Sequence, residues 1–215
     1  MAVPIDKLGP AQLRLFRGAE LAIDPTFAKA KRIRLDATSW IDHVPDWLTC
    51  DDLLLNTLAS VPQWEQRQRW MFTKFVDEPR LTAEYPNLYD TPIPMLASIG
   101  HALSRHYSVR FDTAWLNLYR DQRDSTGFHA DRPANKLEQA TIPVLSLGET
   151  RRFQLRPTSG GSSTTLVVAG GDLIVMGGRC QRDWVHAVPK ETRRAGVRIS
   201  VNFGSGPQLR KEESD

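Results

Sequence analysis

Residues 196–204 read GVRISVNFG, and apolar and polar side chains alternate along the run. In an extended strand successive residues point to opposite faces. Val197, Ile199, Val201 and Phe203 therefore form one apolar face, and Arg198, Ser200 and Asn202 form the opposite, polar one. A polar strand face ordinarily meets solvent. Inside a closed β architecture it can instead line a cavity, where a single arginine suits a bidentate grip on a carboxylate. Gly204 continues the polar face by alternation and is also a natural end for the strand.

The rest of the second half carries the same signature. AWLNLYR (114–120), ATIPVLSL (140–147), RRFQLRP (151–157), TTLVVAGGDLIVM (164–176) and DWVHAVP (183–189) are short β-rich runs punctuated by Gly, Pro and Asp. They predict an antiparallel sandwich, jelly roll or barrel, with the helices segregated in the first half: an α+β, β-rich fold. In AWLNLYR, Trp115, Asn117 and Tyr119 share one face, and Leu116 and Leu118 share the other.

The first half is mixed. AQLRLF (11–16) alternates like a strand. TCDDLLLNTLASV (49–61) reads as a helix with Thr49 as N-cap and Asp51 and Asp52 in the first turn. PMLASIGHALSRHY (94–107) is the clearest helix, with Pro94 in its first turn and Leu96, Ile99 and Leu103 on one face. His101 and His106 are five residues apart, off the i,i+4 spacing that grips a metal, and read as surface residues.

The 215 residues suffice for one domain with a sizeable core. No apolar run approaches membrane-spanning length, and the first residues lack the apolar core of a signal peptide. The two cysteines, Cys50 and Cys180, stand in no metal-type spacing, which fits a reducing, cytoplasmic setting. A net charge of +3 with a pI near 9.0 permits a polyanionic partner without requiring one.

In TGFHADRP (126–133), His129 and Asp131 lie on one side of an extended segment and can reach one ion. The remaining histidines are His43, His101, His106 and His186, and of these only His186 falls in a later β run. Two histidines and a carboxylate on one face of an ion leave three positions open, the arrangement of non-heme Fe(II) oxygenases. Zinc remains an alternative, although a catalytic zinc usually keeps one open position. With iron, two open positions suit a bidentate 2-oxo acid and the third suits O2. Arg198, twelve residues after His186, is then a candidate anchor for the far carboxylate.

Taken together, NLYRDQRDSTGFHAD, IPVLSLGETRRFQLRP, LVVAGGDLIVMGGRCQRDWVHAVP and RISVNF resemble the AlkB family of Fe(II)/2-oxoglutarate-dependent nucleic-acid dealkylating dioxygenases. The resemblance runs from about Phe72 to Phe203. It implies a double-stranded β-helix (jelly roll) with helices packed on one side. It implies His129, Asp131 and His186 as iron ligands and catalytic residues. Asn117, Tyr119 and Arg198 match the family's 2-oxoglutarate contacts, and Ser200 and Asn202 occupy hydrogen-bonding positions beside them. The implied cofactors are Fe(II), 2-oxoglutarate and O2. The implied reaction oxidises the alkyl carbon on a damaged base while 2-oxoglutarate becomes succinate, and the base is released with loss of an aldehyde. FTKFVDEPRLTAEY (72–85) resembles the family's substrate lid. The expected organisation is one domain, 1–215, with an N-terminal extension and lid over 1–90 and a helix plus jelly-roll core over 91–206.

Two departures bear on this reading. The family's last strand commonly reads R-x-N-x-T-x-R, but here the second arginine, which the resemblance places near the metal end of the co-substrate, is replaced by Gly204. Arg132 is the sequence's candidate for a compensating cation. Many relatives also carry an acidic residue just after H-x-D, where Arg132 and Pro133 follow here. HxDR and RISV together resemble an actinobacterial-type subgroup, so lesion preference is not copied from the best-known bacterial form.

QWEQRQRWMFTKF (63–75) interleaves Arg67, Arg69 and Lys74 with Trp64, Trp70 and Phe72, a pattern for phosphates and stacked bases. The plainer reading is an amphipathic strand with aromatics inward. An enzyme acting on a base must extrude it. Tyr85, Tyr89, Arg80, Arg132 and Trp184 are the candidate substrate contacts; Arg193 and Arg194 face phosphate or water. The expected partner is alkylated DNA, with RNA as a second polymer, and the chain is expected to be a monomer with no membrane role. A dioxygenase acting on a small molecule or a protein, and a catalytically weakened nucleic-acid-binding jelly roll, are the alternatives.

Overall fold

The computed structural model describes residues 20–71 and 73–206, so the run at 11–16 lies outside the described residues. In chain order the elements are β1 (Ala22–Ile23), β2 (Lys31–Arg34), β3 (Ser39–Val44), β4 (Leu48–Thr49), α1 (Asp51–Ser60), β5 (Gln68–Met71), β6 (Lys74–Asp77), β7 (Leu81–Tyr85) and α2 (Pro94–Tyr107). The second half continues with β8 (Thr113–Tyr119), β9 (Thr126–His129), β10 (Ile142–Gly148), β11 (Arg151–Pro157), β12 (Thr164–Val168), β13 (Leu173–Gly178), α3 (Cys180–Asp183), β14 (Trp184–Val188) and β15 (Arg198–Gly204).

Seven strands form one antiparallel sheet in the order β2-β3-β13-β10-β15-β8-β7. Four form a smaller antiparallel sheet, β12-β11-β14-β9. The chain passes repeatedly between the two sheets, as a double-stranded β-helix requires.

Side-chain alternation explains the layers. Leu145 and Leu147 of β10, Ile199, Val201 and Phe203 of β15, and Leu116 and Leu118 of β8 share one core with Leu54 and Leu58 of α1 and Leu96, Ile99 and Leu103 of α2. The neighbouring residues Ile142, Val144, Ile174 and Met176 point the other way. They pack with Phe153, Leu155, Val168 and Val188 of the smaller sheet. The large sheet is thus covered by helices on one face and by the second sheet on the other. This is why β10 and β15 are buried almost along their whole length. Truncating Leu116 or Val201 would lose about 2–5 kcal/mol, because neither layer can close over the gap.

Several sequence expectations change in detail. Helix α1 is preceded by Cys50 in a left-handed conformation, with no side-chain cap, so Thr49 is not the N-cap. Its hydroxyl instead donates to the carbonyls of Glu20 and Ala22. Asp51 and Asp52 do occupy the first turn, and Asp51 accepts from the Gly148 amide at 2.8 Å. Val197 lies before β15 and is exposed, so the apolar face begins at Ile199. Gly204 still belongs to the strand, paired with Thr113. Helix α2 has the predicted bounds, with His101 and His106 at the surface. The segment read as an N-terminal extension contributes β2, β3 and β7 to the large sheet, so a boundary at residue 90 falls between strands of one sheet.

The β3–β13 contact needs a glycine. The Trp40 ring lies against the backbone at Gly177, where even a Cβ would overlap it. The Arg32 guanidinium covers the same indole, 3.8 Å from a ring centroid.

Candidate active site

Between the sheets lies an open cavity of about 1520 Å³. Its floor is the β8–β15 ladder, whose register sets Tyr119 opposite Arg198, Asn117 opposite Ser200 and Trp115 opposite Asn202. The two polar faces recognised in sequence are therefore one continuous surface. Asn117 Nδ2 donates to Ser200 Oγ at 3.2 Å, and Asn202 Nδ2 donates to the Trp115 carbonyl at 2.8 Å.

The opposite wall comes from the smaller sheet, where β9 and β14 pair with His129 directly across from His186. Asp131 follows β9. One ligand atom from each of His129, Asp131 and His186 lies within 4.8 Å of the others. His129 Nε2 is 3.5 Å from Asp131 Oδ1, and His186 Nε2 is 3.7 Å from Asp131 Oδ2. The Gly127 carbonyl lies 2.9 Å from His129 Nδ1 and suits that nitrogen as donor, which leaves Nε2 free to ligate.

Burial alone would lower the His129 imidazole. The Asp131 carboxylate and the Gly127 carbonyl outweigh it and raise the pKa, while the Arg80 charge acts on the ring in the opposite sense. Burial pushes His186 down to about 4, so it is neutral at pH 7. Burial alone would raise Asp131, but the two histidines and the Gln181 amide overcome it and keep it below the usual carboxylate value. Two neutral or easily neutralised imidazoles and one carboxylate converging from one side form a donor set suited to Fe(II).

The cavity floor fits the second implied group. Arg198 is 2% exposed, its Nε donates to Ser146 Oγ at 3.0 Å, and its Nη1 is buried without a hydrogen-bond partner. The guanidinium carbon stands 5.2 Å from the Tyr119 ring centroid. Burial, reinforced by the nearby Arg151 charge, lowers its pKa from the ordinary guanidinium value. A buried cation with an unused donor is costly unless an anion completes it, and a carboxylate would do so. The Tyr119 hydroxyl is held 2.9 Å from Thr126 Oγ1.

The candidate substrate contacts separate. Tyr85 lines the cavity with its hydroxyl buried. Arg80 lines it too, donating from Nε to Asn117 Oδ1 at 2.9 Å. Arg132 lines the cavity and is exposed, with no ion-pair partner among the described residues. Tyr89 is exposed and outside the cavity wall. Trp184 also does not line the cavity: its indole N–H donates to Asp36 Oδ2 at 2.6 Å, tying β14 to the turn between β2 and β3. Arg193 and Arg194 are exposed elsewhere. In the β5–β6 hairpin the aromatics point outward, not inward: Trp70 is 58% and Phe75 64% exposed, their rings edge to face at 5.0 Å. Trp64 instead packs against the core, and Phe72 lies outside the described residues.

Two polar residues of the site escaped the sequence reading. Gln181, in α3, accepts from the Asp131 amide at 2.8 Å and donates from Nε2 to Asp131 Oδ2 at 2.8 Å. Ser146 is the hydroxyl behind Arg198. It was visible as the one polar side chain in the apolar run IPVLSLG.

A jelly roll with this triad beside a buried arginine is an arrangement suited to an iron-dependent oxygenase. The family model of the 2OG-Fe(II) oxygenase superfamily matches residues 61–203, and the chain belongs to that superfamily. Within that superfamily, curated proteins similar to this chain are AlkB homologues. The chain is 30% identical over 172 residues to the alpha-ketoglutarate-dependent dioxygenase alkB homolog 3 of Mus musculus, an alignment covering 71% of this chain and 60% of the relative. It is 29% identical over 117 residues to the DNA oxidative demethylase ALKBH2 of Arabidopsis thaliana, covering 44% of this chain and 37% of the relative. The chain thus spans about 60% of the length of its alkB homolog 3 relatives. Among solved structures, that of OsALKBH1 superposes with a TM-score of 0.56 at 11% identity, over 80% of this chain and 99% of that one, a likeness of fold.

Proposed function

We propose that this chain is an Fe(II)/2-oxoglutarate-dependent dioxygenase that removes alkyl groups oxidatively from nucleic-acid bases. The observation that carries the reading is the convergence of His129, Asp131 and His186 across one cavity from a buried Arg198 with an unused donor. His129, Asp131 and His186 would hold the iron; Arg198, Asn117, Tyr119 and Ser200 would hold 2-oxoglutarate. Bound together, iron and 2-oxoglutarate supply the oxidising power that turns an alkyl C–H into a C–OH while the co-substrate becomes succinate.

The protein's own part is positioning. Gln181 orients the Asp131 carboxylate and satisfies its second oxygen. The Gly127 carbonyl sets the His129 tautomer. Arg198 fixes the far end of the co-substrate so that its other end meets the ligand triad. Phe153, stacked on His186 with centroids 5.4 Å apart, keeps water from that ring.

The mouth supports a polyanionic substrate. Arg67, Arg69, Arg132 and Arg182 line it, all exposed, and Arg132 takes no ion-pair partner among the described residues. The outward Trp70–Phe75 pair stands on the hairpin leading into β7, where aromatic faces suit exposed bases. DNA is the favoured polymer and RNA the second. Two similar proteins, an alpha-ketoglutarate-dependent dioxygenase and a DNA oxidative demethylase, support this reading. Both cysteines are free, which supports a reducing, cytoplasmic setting, and we take the working unit to be a single-domain monomer.

The deciding experiment incubates alkylated oligonucleotides with the protein, Fe(II) and 2-oxoglutarate and follows the bases by mass spectrometry. Loss of the alkyl mass together with succinate formation is expected. Succinate formation indifferent to oligonucleotide would favour a small-molecule or protein substrate. Oligonucleotide binding without turnover would favour the weakened binding protein that Gly204 keeps in view.

A further inference from the structure

The last strand lacks a cation at Gly204, yet the cavity holds a second, well-placed arginine. Six arginines line it: Arg67, Arg69, Arg80, Arg132, Arg182 and Arg198. Four are exposed at the mouth. Arg198 occupies one end of the floor, and Arg80, whose side chain is 17% exposed, sits on the next rung, at Asn117. Arg151, also buried nearby, is committed: its Nη atoms donate to the carbonyls of Asp121, Asp124 and Pro189.

Arg80 is bound to the floor itself. Its Nε donates to Asn117 Oδ1, and Asn117 in turn donates to Ser200. Its Nη2 is 2.9 Å from Glu78 Oε2, and its Nη1 takes no hydrogen-bond partner among the described residues. Because Asn117 pairs with Ser200 and Tyr119 with Arg198, the two guanidinium groups attach to the ladder one pleat repeat apart, roughly 7 Å along the strands.

The backbone that carries Arg80 is also fastened to the core. The Pro79 carbonyl accepts from the Ser125 amide at 2.8 Å, the Glu78 amide donates to the Arg67 carbonyl at 2.8 Å, and the Gln66 side-chain amide reaches the carbonyls of Glu78 and Arg80. A residue held this way has the fixity of a co-substrate ligand, unlike the exposed tip of a substrate lid.

We propose that Arg80 supplies the cation absent at Gly204: Arg198 meets the far carboxylate of the 2-oxo diacid, and Arg80, seated on Asn117, meets the carboxylate at the ligand-triad end. The proposal rests on the oxygenase reading above and assigns Arg80 to the co-substrate instead of to the nucleic acid. Arg132 then has no part at the floor, and an arginine added at position 204 would crowd an existing positive charge.

The test uses Mn(II)-loaded full-length protein, which binds without turnover, and two ligands measured by calorimetry. 2-Oxoglutarate has both carboxylate ends; oxalate has only the end that meets the metal. Arg80→Ala is expected to weaken both ligands at least tenfold, whereas Arg198→Ala weakens 2-oxoglutarate and leaves oxalate within twofold. Arg80→Gln retains a donor for Asn117 and removes the charge, so it guards against a folding defect and is expected to lose as much. Gly204→Arg in otherwise unaltered protein is expected to weaken 2-oxoglutarate, and tighter binding would overturn the proposal by showing that the place was empty. Unchanged oxalate affinity in Arg80→Gln, with weakened single-stranded oligonucleotide binding, would overturn it in favour of a substrate contact. Unaltered protein that binds neither Mn(II) nor 2-oxoglutarate would sink the oxygenase reading itself, a result distinct from normal binding that is blind to Arg80.

Discussion

Gln181 is the residue whose removal tests the architecture of the triad most directly. It makes two hydrogen bonds with one residue, accepting the Asp131 amide and donating to Asp131 Oδ2, both at 2.8 Å. It is 2% exposed, so water cannot take over either bond. Gln181→Leu keeps the approximate volume and removes both. The bond to the carboxylate is charge-assisted and worth about 1.5–3 kcal/mol, which corresponds to roughly 10–150-fold in binding if all of it orients the ligand. The outer partners of metal ligands typically account for roughly 10–100-fold in affinity, so the two routes agree. The expected result is an Mn(II) or Co(II) affinity lowered at least tenfold, measured by competition with a chelator. The metal-free protein should also lose about 1–3 kcal/mol in urea unfolding, because the Asp131 amide stays buried without an acceptor. Metal affinity within twofold of the unaltered protein, with the fold intact, would refute the claim that Gln181 holds the carboxylate in its ligating position.

Replacing His129, Asp131 or His186 with Ala should abolish iron-dependent succinate formation while circular dichroism shows the fold retained, since the triad has no spare protein ligand. Arg198→Lys keeps the charge but loses the planar fork, and calorimetry should show 2-oxoglutarate binding weakened by about 1–3 kcal/mol. Gly177→Ala drives a methyl group into the Trp40 ring and should cost about 1–3 kcal/mol in denaturant unfolding, with β3 the first strand to lose hydrogen-exchange protection. Burial alone would raise the Asp36 carboxyl, but Trp184, Thr38 and Ser39 donate to it and lower its pKa to about 2. Its contribution to stability should therefore be complete above about pH 4, its unfolded value, and be lost as the pH falls towards 2; Asp36→Asn should remove that part of the acid dependence.

The alternation in GVRISVNFG and AWLNLYR was enough to divide each strand into a core face and a polar face, because the two-residue period is a local property of extended backbone. The bounds of α2 were equally local, marked by Pro94 and an apolar stripe. The triad was legible for a different reason: with five histidines in the chain and only one in a later β run, few ways exist to complete His129 and Asp131. What the sequence could not decide was pairing. That Asn117 lies opposite Ser200, and that Arg80 reaches Asn117 across 37 positions, depends on the register of β7, β8 and β15. Trp184 and Tyr89 failed as pocket residues because the indole found Asp36 and the phenol faced solvent, outcomes set by the turn between β2 and β3 and by the loop before α2. Gln181 was invisible because a polar side chain in a short helix carries no pattern of its own. Only the closure of the two sheets brings it against Asp131, fifty positions away, and makes an ordinary amide the support of a candidate metal ligand.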